Sequence, residues 1–269
     1  MDHGLYSAYL GMRARQRALD VMANNIANSS TTGFKADRML YQSVAAAASE
    51  QGLPLAPPAG RPQLQLASLN QAIVDPSLAS SHGRNIGLTA STIADYSSGQ
   101  VKVTGSPLDI ALDGKGFLAV QTPQGERYTR NGSLKLNADG QLVTQHGDLV
   151  AGQNGPITLP PGDITIGRSG DISVSGQTVD QLKIVQFDSP AGALMKDGDS
   201  LFVTAAGQQA APATGTQVIQ NALEMSNVDP IAEMAAMLKN SREFDSLQKS
   251  LSTLMNDIGR TVANDIGKV

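Results

Sequence analysis

Two apolar stripes at opposite ends of the chain constrain its fold most. Leu5, Met12, Leu19 and Ile26 recur at seven-residue intervals near the N-terminus, and Met237, Phe244, Leu251 and Ile258 do the same near the C-terminus. Seven residues are close to two turns of a 3.6-residue helix, so each set falls on one face of an amphipathic helix. The spacing predicts a first helix over residues 3–28, with Asn28 as the left-handed residue that ends it. A second helix is predicted from near Asp229 to about residue 263. Asp229 suits the N-cap, Pro230 the first helical position and Glu233 the first turn. These helices would be roughly 39 and 50 Å long. Their seams are narrow and carry polar interruptions (Gln16, Asn240), and isolated helices of this kind are marginal in water. The expectation is a coiled-coil-like stalk made from both termini and ordered fully only among neighbouring molecules. The alternative is two surface helices packed on one globular core.

Between the helices the pattern changes twice. Residues 43–98 are rich in Ala, Pro, Gln, Gly and Ser without a sustained period, which predicts an extended or flexible connector with some strand around 85–94. From Val101 to about Val218, short apolar runs such as IALDG, FLAVQT, LKIVQF and LFVT are separated by turn signals. These signals include Asp113-Gly114, Asn131-Gly132, Asp139-Gly140, Asn154-Gly155 and Asp197-Gly198. Their spacing predicts an antiparallel, all-β central domain of meanders and hairpins. The fold class expected is therefore α+β. Residues 1–42 would hold the first helix and its following turn, 43–98 the connector, 99–220 the β domain and 221–269 the second helix.

Composition narrows the function classes. The net charge of −4 comes from mixed signs, with no basic patch for nucleic acid and no polybasic membrane anchor. There is no cysteine, so disulfides and thiolate metal sites are excluded. Aromatic residues make up 4% of the chain and Trp is absent, which speaks against a carbohydrate-binding module that stacks rings on sugars. No apolar run reaches the eighteen residues of a membrane span, and the N-terminus lacks the features of a secretory signal. Read from these features alone, the chain would be cytoplasmic.

No constellation for catalysis stands out. His3, His82 and His146 have no partner at metal-ligand spacing. Asp109 and Asp113 share a strand face, but at about 3.3 Å per residue they lie roughly 13 Å apart, beyond a glycosidase pair. Gly114-Lys115-Gly116 precedes a strand rather than a helix, so it fails as a phosphate loop. The Asp197-Gly198-Asp199 turn lacks the regular ligands of a calcium loop. The expectation is a protein that is not an enzyme and carries no cofactor or metal.

One segment remains to be explained. ANNIANSSTTGFK, residues 23–35, places Asn24, Asn25 and Asn28 at the end of an apolar stripe, followed by Thr31, Thr32, Gly33 and Phe34. Asn and Ser compete with the helical backbone for hydrogen bonds and are poor helix fillers. This segment resembles the signature of the flagellar basal-body rod and hook proteins, ANN-apolar-AN-x-x-TTGFK. MDHGLYSAYLGMRARQRALD is similar to that family's N-terminal helix. GSPLDIALDGKGFLAVQTPQGERYTRNGSLKLNADGQLVT is similar to the core of its β domain, and EMSNVDPIAEMAAMLKNSREFD to its C-terminal helix. Ser29-Ser30 and Lys239-Asn240-Ser241 depart from the usual pattern.

The resemblance implies a structural subunit of the flagellar rod whose paired terminal helices line an inner tube, with the β domain outside. It implies passage through the flagellar type III export apparatus without a cleaved signal, which replaces the cytoplasmic expectation by the basal body. Partners would be other rod proteins, further copies of the chain and the export apparatus, with no nucleic acid and no membrane insertion. Subunit contacts would be made by the two seams and by Asn24, Asn25, Asn28, Thr31, Thr32, Gly33 and Phe34. In that role the asparagines set register and Phe34 plugs a pocket on the β domain or on the next subunit. A distal-rod or hook subunit of the same family is the first alternative. A polysaccharide hydrolase carried on the rod is the second.

Overall fold

The computed structural model describes residues 2–45, 86–198, 200–205 and 207–266. The side chains of Leu5 and Ile258 lie outside the described residues. The chain divides into two compact units, one of residues 1–22, 39–92 and 235–269, the other of Ala23–Arg38 and Ile93–Met234. The first contains most of the two long helices, α1 (Asp2–Ala27) and α3 (Pro230–Ile266). It also contains most of a two-stranded sheet of β1 (Asp37–Ala45) and β2 (Ile86–Ala94). Both helices fall within a few residues of the predicted bounds. Asp229 caps α3 as expected, its Oδ1 accepting the N–H groups of Ile231 at 3.0 Å and Ala232 at 3.1 Å.

In the helical unit, Ala14 and Ala18 are the buried apolar positions of α1, while Met12 and Leu19 are half-buried. Ala14 and Ala18 lie about 130° around the helix from the predicted leucine seam. On this face Arg15 donates to Asn240 Oδ1 at 3.0 Å and pairs with Glu243 at 2.8 Å. Asn240 is buried and accepts this bond with its side-chain oxygen. On α3 the seam residues Met237, Phe244 and Leu251 are half-buried.

The second unit is the β domain. Its strands begin with β3 (Val101–Val103), β4 (Ile110–Asp113), β5 (Gly116–Thr122), β6 (Gly125–Thr129), β7 (Leu134–Leu136) and β8 (Leu142–Thr144). They continue with β9 (Leu149–Gly152), β10 (Gly155–Pro156), β11 (Ile164–Ile166), β12 (Asp171–Val174), β13 (Gln177–Gln181) and β14 (Ile184–Gln186). After the short helix α2 (Pro190–Ala193) come β15 (Leu194–Lys196), β16 (Leu201–Thr204), β17 (Ala211–Pro212), β18 (Gln217–Gln220) and β19 (Ala222–Glu224). The main sheet runs β15-β16-β6-β5-β9-β8-β7, with β10, β14 and β17 attached. Its ladders are antiparallel, as the turn spacing predicts.

Strand β5 explains the core. Its side chains alternate between two faces, and both faces are covered. Leu118 and Val120 join Ile110, Leu142, Val150 and Ile172, while Phe117 and Ala119 join Tyr128, Phe187 and Phe202. The scarce aromatics gather in the second cluster, with Phe117 edge-on to Tyr96, Phe187 and Phe202 at centroid distances of 5.9, 6.0 and 5.7 Å. Four of the five predicted turn glycines have positive φ. The fifth, Gly132, is required for closeness instead, since a Cβ there would lie 1.8 Å from the Ile110 carbonyl oxygen.

Two features depart from the expected segmentation. Ala23–Arg38 belongs to the β unit, so the turn after α1 is part of that fold. Ala222–Glu224, expected to lead into the second helix, is a strand paired with β3.

Candidate functional site

The polar end of α1 satisfies its own backbone. The last four carbonyls of a helix lack intrahelical partners. Here Asn28 donates from Nδ2 to the Asn24 carbonyl at 3.0 Å, and the Ser29 hydroxyl donates to the Ile26 carbonyl at 2.8 Å. Thr31 Oγ1 donates to Asn28 Oδ1 at 3.2 Å. Asn28 therefore ends the helix with its side chain. The predicted left-handed backbone is absent from Asn28 and appears instead at Gly33, with φ of 67°.

Asn25 is turned inward and is 1% exposed. It exchanges two hydrogen bonds with the Asp37 backbone, both 2.9 Å, and donates to Glu233 Oε1 on α3 at 3.1 Å. One amide thus ties the end of α1 to the start of β1 and to the first turn of α3. Beyond it, the Gly33 N–H donates to the Glu224 carbonyl at 2.8 Å, and Thr32 Oγ1 donates to Asn131 Oδ1 at 2.9 Å. A Cβ on Gly33 would meet the Asn131 nitrogen at 2.4 Å, so this close approach requires glycine. Phe34 is buried with Ala36 and Val228, with the Lys196 ammonium 4.3 Å from its ring centroid.

Lys35 is the centre of the site. Its side chain is fully buried, and Nζ lies 2.6 Å from Glu224 Oε1 and 2.7 Å from the Ser97 carbonyl. Glu224 Oε1 also accepts the Gly99 N–H at 2.9 Å, and its Oε2 accepts from Arg130 Nη1 at 3.1 Å. Arg130 donates further to the Leu112 and Gly114 carbonyls, and its guanidinium carbon lies 5.1 Å from the Phe117 ring centroid. Two buried cations therefore share one carboxylate. Burial pushes the Lys35 pKa below the usual lysine value, against the Glu224 charge and hydrogen bond that hold the proton on. Arg130 is lowered for the same reason. Among the described residues, Arg130 Nε is the buried side-chain polar atom with no hydrogen-bond partner. Asn227 closes the site: its Oδ1 accepts the Ala36 N–H at 2.7 Å, and its Nδ2 donates to the Asp95 carbonyl at 2.9 Å.

The structure thus brings Asn25, Thr32, Gly33 and Phe34 together against the chain's own β domain. Asn24 is exposed, and Ile26, Asn28 and Thr31 are half-buried. From sequence, Arg130, Lys196 and Glu224 have no role, Asn131 serves only as a turn residue and Lys35 only as the end of the signature. No local signal finds Glu224, because a carboxylate between two apolar residues in a strand ordinarily faces solvent. No cluster of metal-ligating residues occurs among the described residues, and no helix there is long and apolar enough to cross a membrane.

Comparison with known proteins bears on what this joint serves. Three family models match the chain: "Flagella basal body rod protein" over residues 5–35, "Flagellar hook protein FlgE/F/G D1 domain" over 111–174, and "Flagellar basal body rod FlgEFG protein C-terminal" over 219–262. The flagellar basal-body rod protein FlgF of Caulobacter vibrioides is 31% identical over the full length of both chains. This chain belongs to the flagellar basal-body rod protein family. FlgF of Escherichia coli is 33% identical over 97% of each chain, and FlgG of Caulobacter vibrioides 34% identical over 93% of this chain and 94% of its own. The three charges of the buried node come one from each family segment. Lys35 ends the first, Arg130 lies in the second and Glu224 in the third. In this rod-family chain the node is therefore where the three parts of the sequence are joined.

Proposed function

We propose that this chain is a structural, non-catalytic subunit of the flagellar basal-body rod, self-assembling through its terminal helices into a tube that transmits torque. The observation that carries the reading is the unburied apolar surface of α3. Ile231, Met234 and Leu238, on one helix face, are 79%, 50% and 63% exposed. Such a stripe is expected to be covered by another chain, because burial of apolar area returns about 25 cal/mol per Å². The half-buried Met12, Leu19, Met237, Phe244 and Leu251 offer further area, and a coiled-coil arrangement of α1 and α3 would present both sets together. Homologous rod proteins and further copies of the chain are the fitting neighbours, in contacts that repeat without closing. The route to the basal body is the flagellar export apparatus, and the place is the periplasmic rod. The joint's part is mechanical: Asn25 ties the last turn of α1 to the first turn of α3, and the node seats the segment after α1 in the β domain, so that load on the helix ends reaches it.

The test replaces Ile231 and Leu238 by Glu in the full chain. The double variant should keep the thermal transition of the β unit and lose incorporation into isolated basal bodies, with loss of swimming. Normal incorporation of the variant would overturn the assignment of this face.

A further inference from the structure

We infer that residues 29–37 form a latch, seated by Lys35 in the Glu224–Arg130 socket, that opens as a unit while the main sheet stays folded. Three observations support it.

The socket is electrically complete without the latch. When Lys35 leaves, Glu224 and Arg130 remain as a one-to-one pair. Glu224 keeps the Gly99 N–H, and Arg130 keeps the Leu112 and Gly114 carbonyls. Departure also removes a buried like charge from beside Arg130, and the ammonium regains water. A closed latch thus holds one cation more than its carboxylate neutralises, whereas an open one leaves a neutral pair.

The apolar attachment of the latch is small and separate. Phe34 and Ala36 pack with Val228 in a cluster of three buried residues, apart from the two clusters that flank β5. The remaining attachments are single hydrogen bonds from Thr32, Gly33 and Ala36 to Asn131, Glu224 and Asn227, one from the Asp95 N–H to the Ala36 carbonyl at 2.7 Å, and the two bonds between Asn25 and the Asp37 backbone at the segment's far end. From outside, Lys196 donates to the Lys35 carbonyl and pairs with Asp37 at 2.9 Å. No sheet ladder of the β domain runs through the segment 29–36, so its release breaks no strand pairing there.

The seat is also completed last. Lys35 and Glu224 are 189 residues apart, and β19 supplies both the carboxylate and the carbonyl that receives Gly33. During synthesis the segment after α1 has no complete seat until β19 has been made. Closing is therefore a late step, and α1 keeps a free root until then.

Hydrogen exchange of the full-length chain, read by mass spectrometry on peptides covering 29–37 and β5–β6, tests the latch. The wild type should exchange at 29–37 through an opening at least about 100-fold more populated than that of β5 and β6. Lys35→Ala should widen the gap by a further factor of about 10–100, the loss of one charge-assisted bond and its packing, with β5 and β6 unchanged. Lys196→Ala, outside the socket, should widen it by about 10-fold. If 29–37 exchanges only as fast as the core in the wild type, or if Lys35→Ala accelerates β5 and 29–37 equally, the segment is part of the sheet's own cooperative fold and there is no latch. The wild-type comparison decides even if a variant fails to fold.

Discussion

Strand β5 and the first turns of α3 are both largely apolar, yet they meet opposite fates. Phe117, Leu118, Ala119 and Val120 are at most 2% exposed, whereas Ile231 on α3 is 79% exposed. The β unit covers both faces of β5 with its own residues and leaves its apolar demand satisfied. Helix α3, which begins in the β unit and continues in the helical unit, leaves Ile231, Met234 and Leu238 in water, while α1 buries the small Ala14 and Ala18. A chain finished in the middle and unfinished at its ends is suited to polymerise through the ends. The node at Lys35 and Glu224 sits on the finished side, so the turn after α1 belongs to the β unit while most of the helix does not.

The largest expected effect breaks that node. Glu224→Ala leaves Lys35 and Arg130 buried without their counter-charge and should cost about 3–5 kcal/mol in urea unfolding of the β unit. Replacing Lys35, Arg130 and Glu224 together by apolar residues should recover much of the loss, and failure to recover would show that the charges also specify the seat. Gly33→Ala comes next, at about 1–3 kcal/mol for a left-handed backbone and an obstructed approach to Asn131. Its damage should concentrate in residues 23–38, so equal damage to β5 would erase the distinction between joint and core.

Alkaline titration probes the β unit by a subtler route. Burial, with the nearby Asp37 charge, raises the Tyr96 pKa to about 12, and burial with the Glu126 charge raises Tyr128 likewise. A tyrosine whose folded pKa lies above its unfolded value near 10 holds its proton longer in the native state, so stability falls as pH rises from 10 towards 12. Tyrosinate absorbance should therefore show these two groups titrating late and together with unfolding of the β unit. The smallest effect on the monomer is expected from Asn24→Ala, within about 0.5 kcal/mol at an exposed position. Incorporation into the rod should nevertheless drop, and unchanged incorporation would remove Asn24 from the contact surface.

Local rules carried the helices and the turns. The heptad stripes place α1 and α3, the Asp229-Pro230 cap starts α3, and the Gly-containing dipeptides mark hairpins, because each depends on residues close in sequence. Strand β1 was not anticipated. DRMLYQSVA lacks strict alternation, and its partner β2 begins only at Ile86, so its pairing is a non-local fact. The seam on α1 was displaced for a related reason. Spacing identifies every apolar face, but only the folded chain reveals that Ala14 and Ala18 are the positions that are buried.

The sequence by itself determined that two amphipathic helices flank a turn-rich antiparallel β domain, and the signature around Asn24 to Lys35 pointed to the rod family. Tertiary structure alone decided what that signature does inside the chain. Lys35 finds Glu224 only after folding has brought together residues 189 apart. Whether a charge is buried depends on the dielectric and the partners around it, and neither is written in the neighbouring letters.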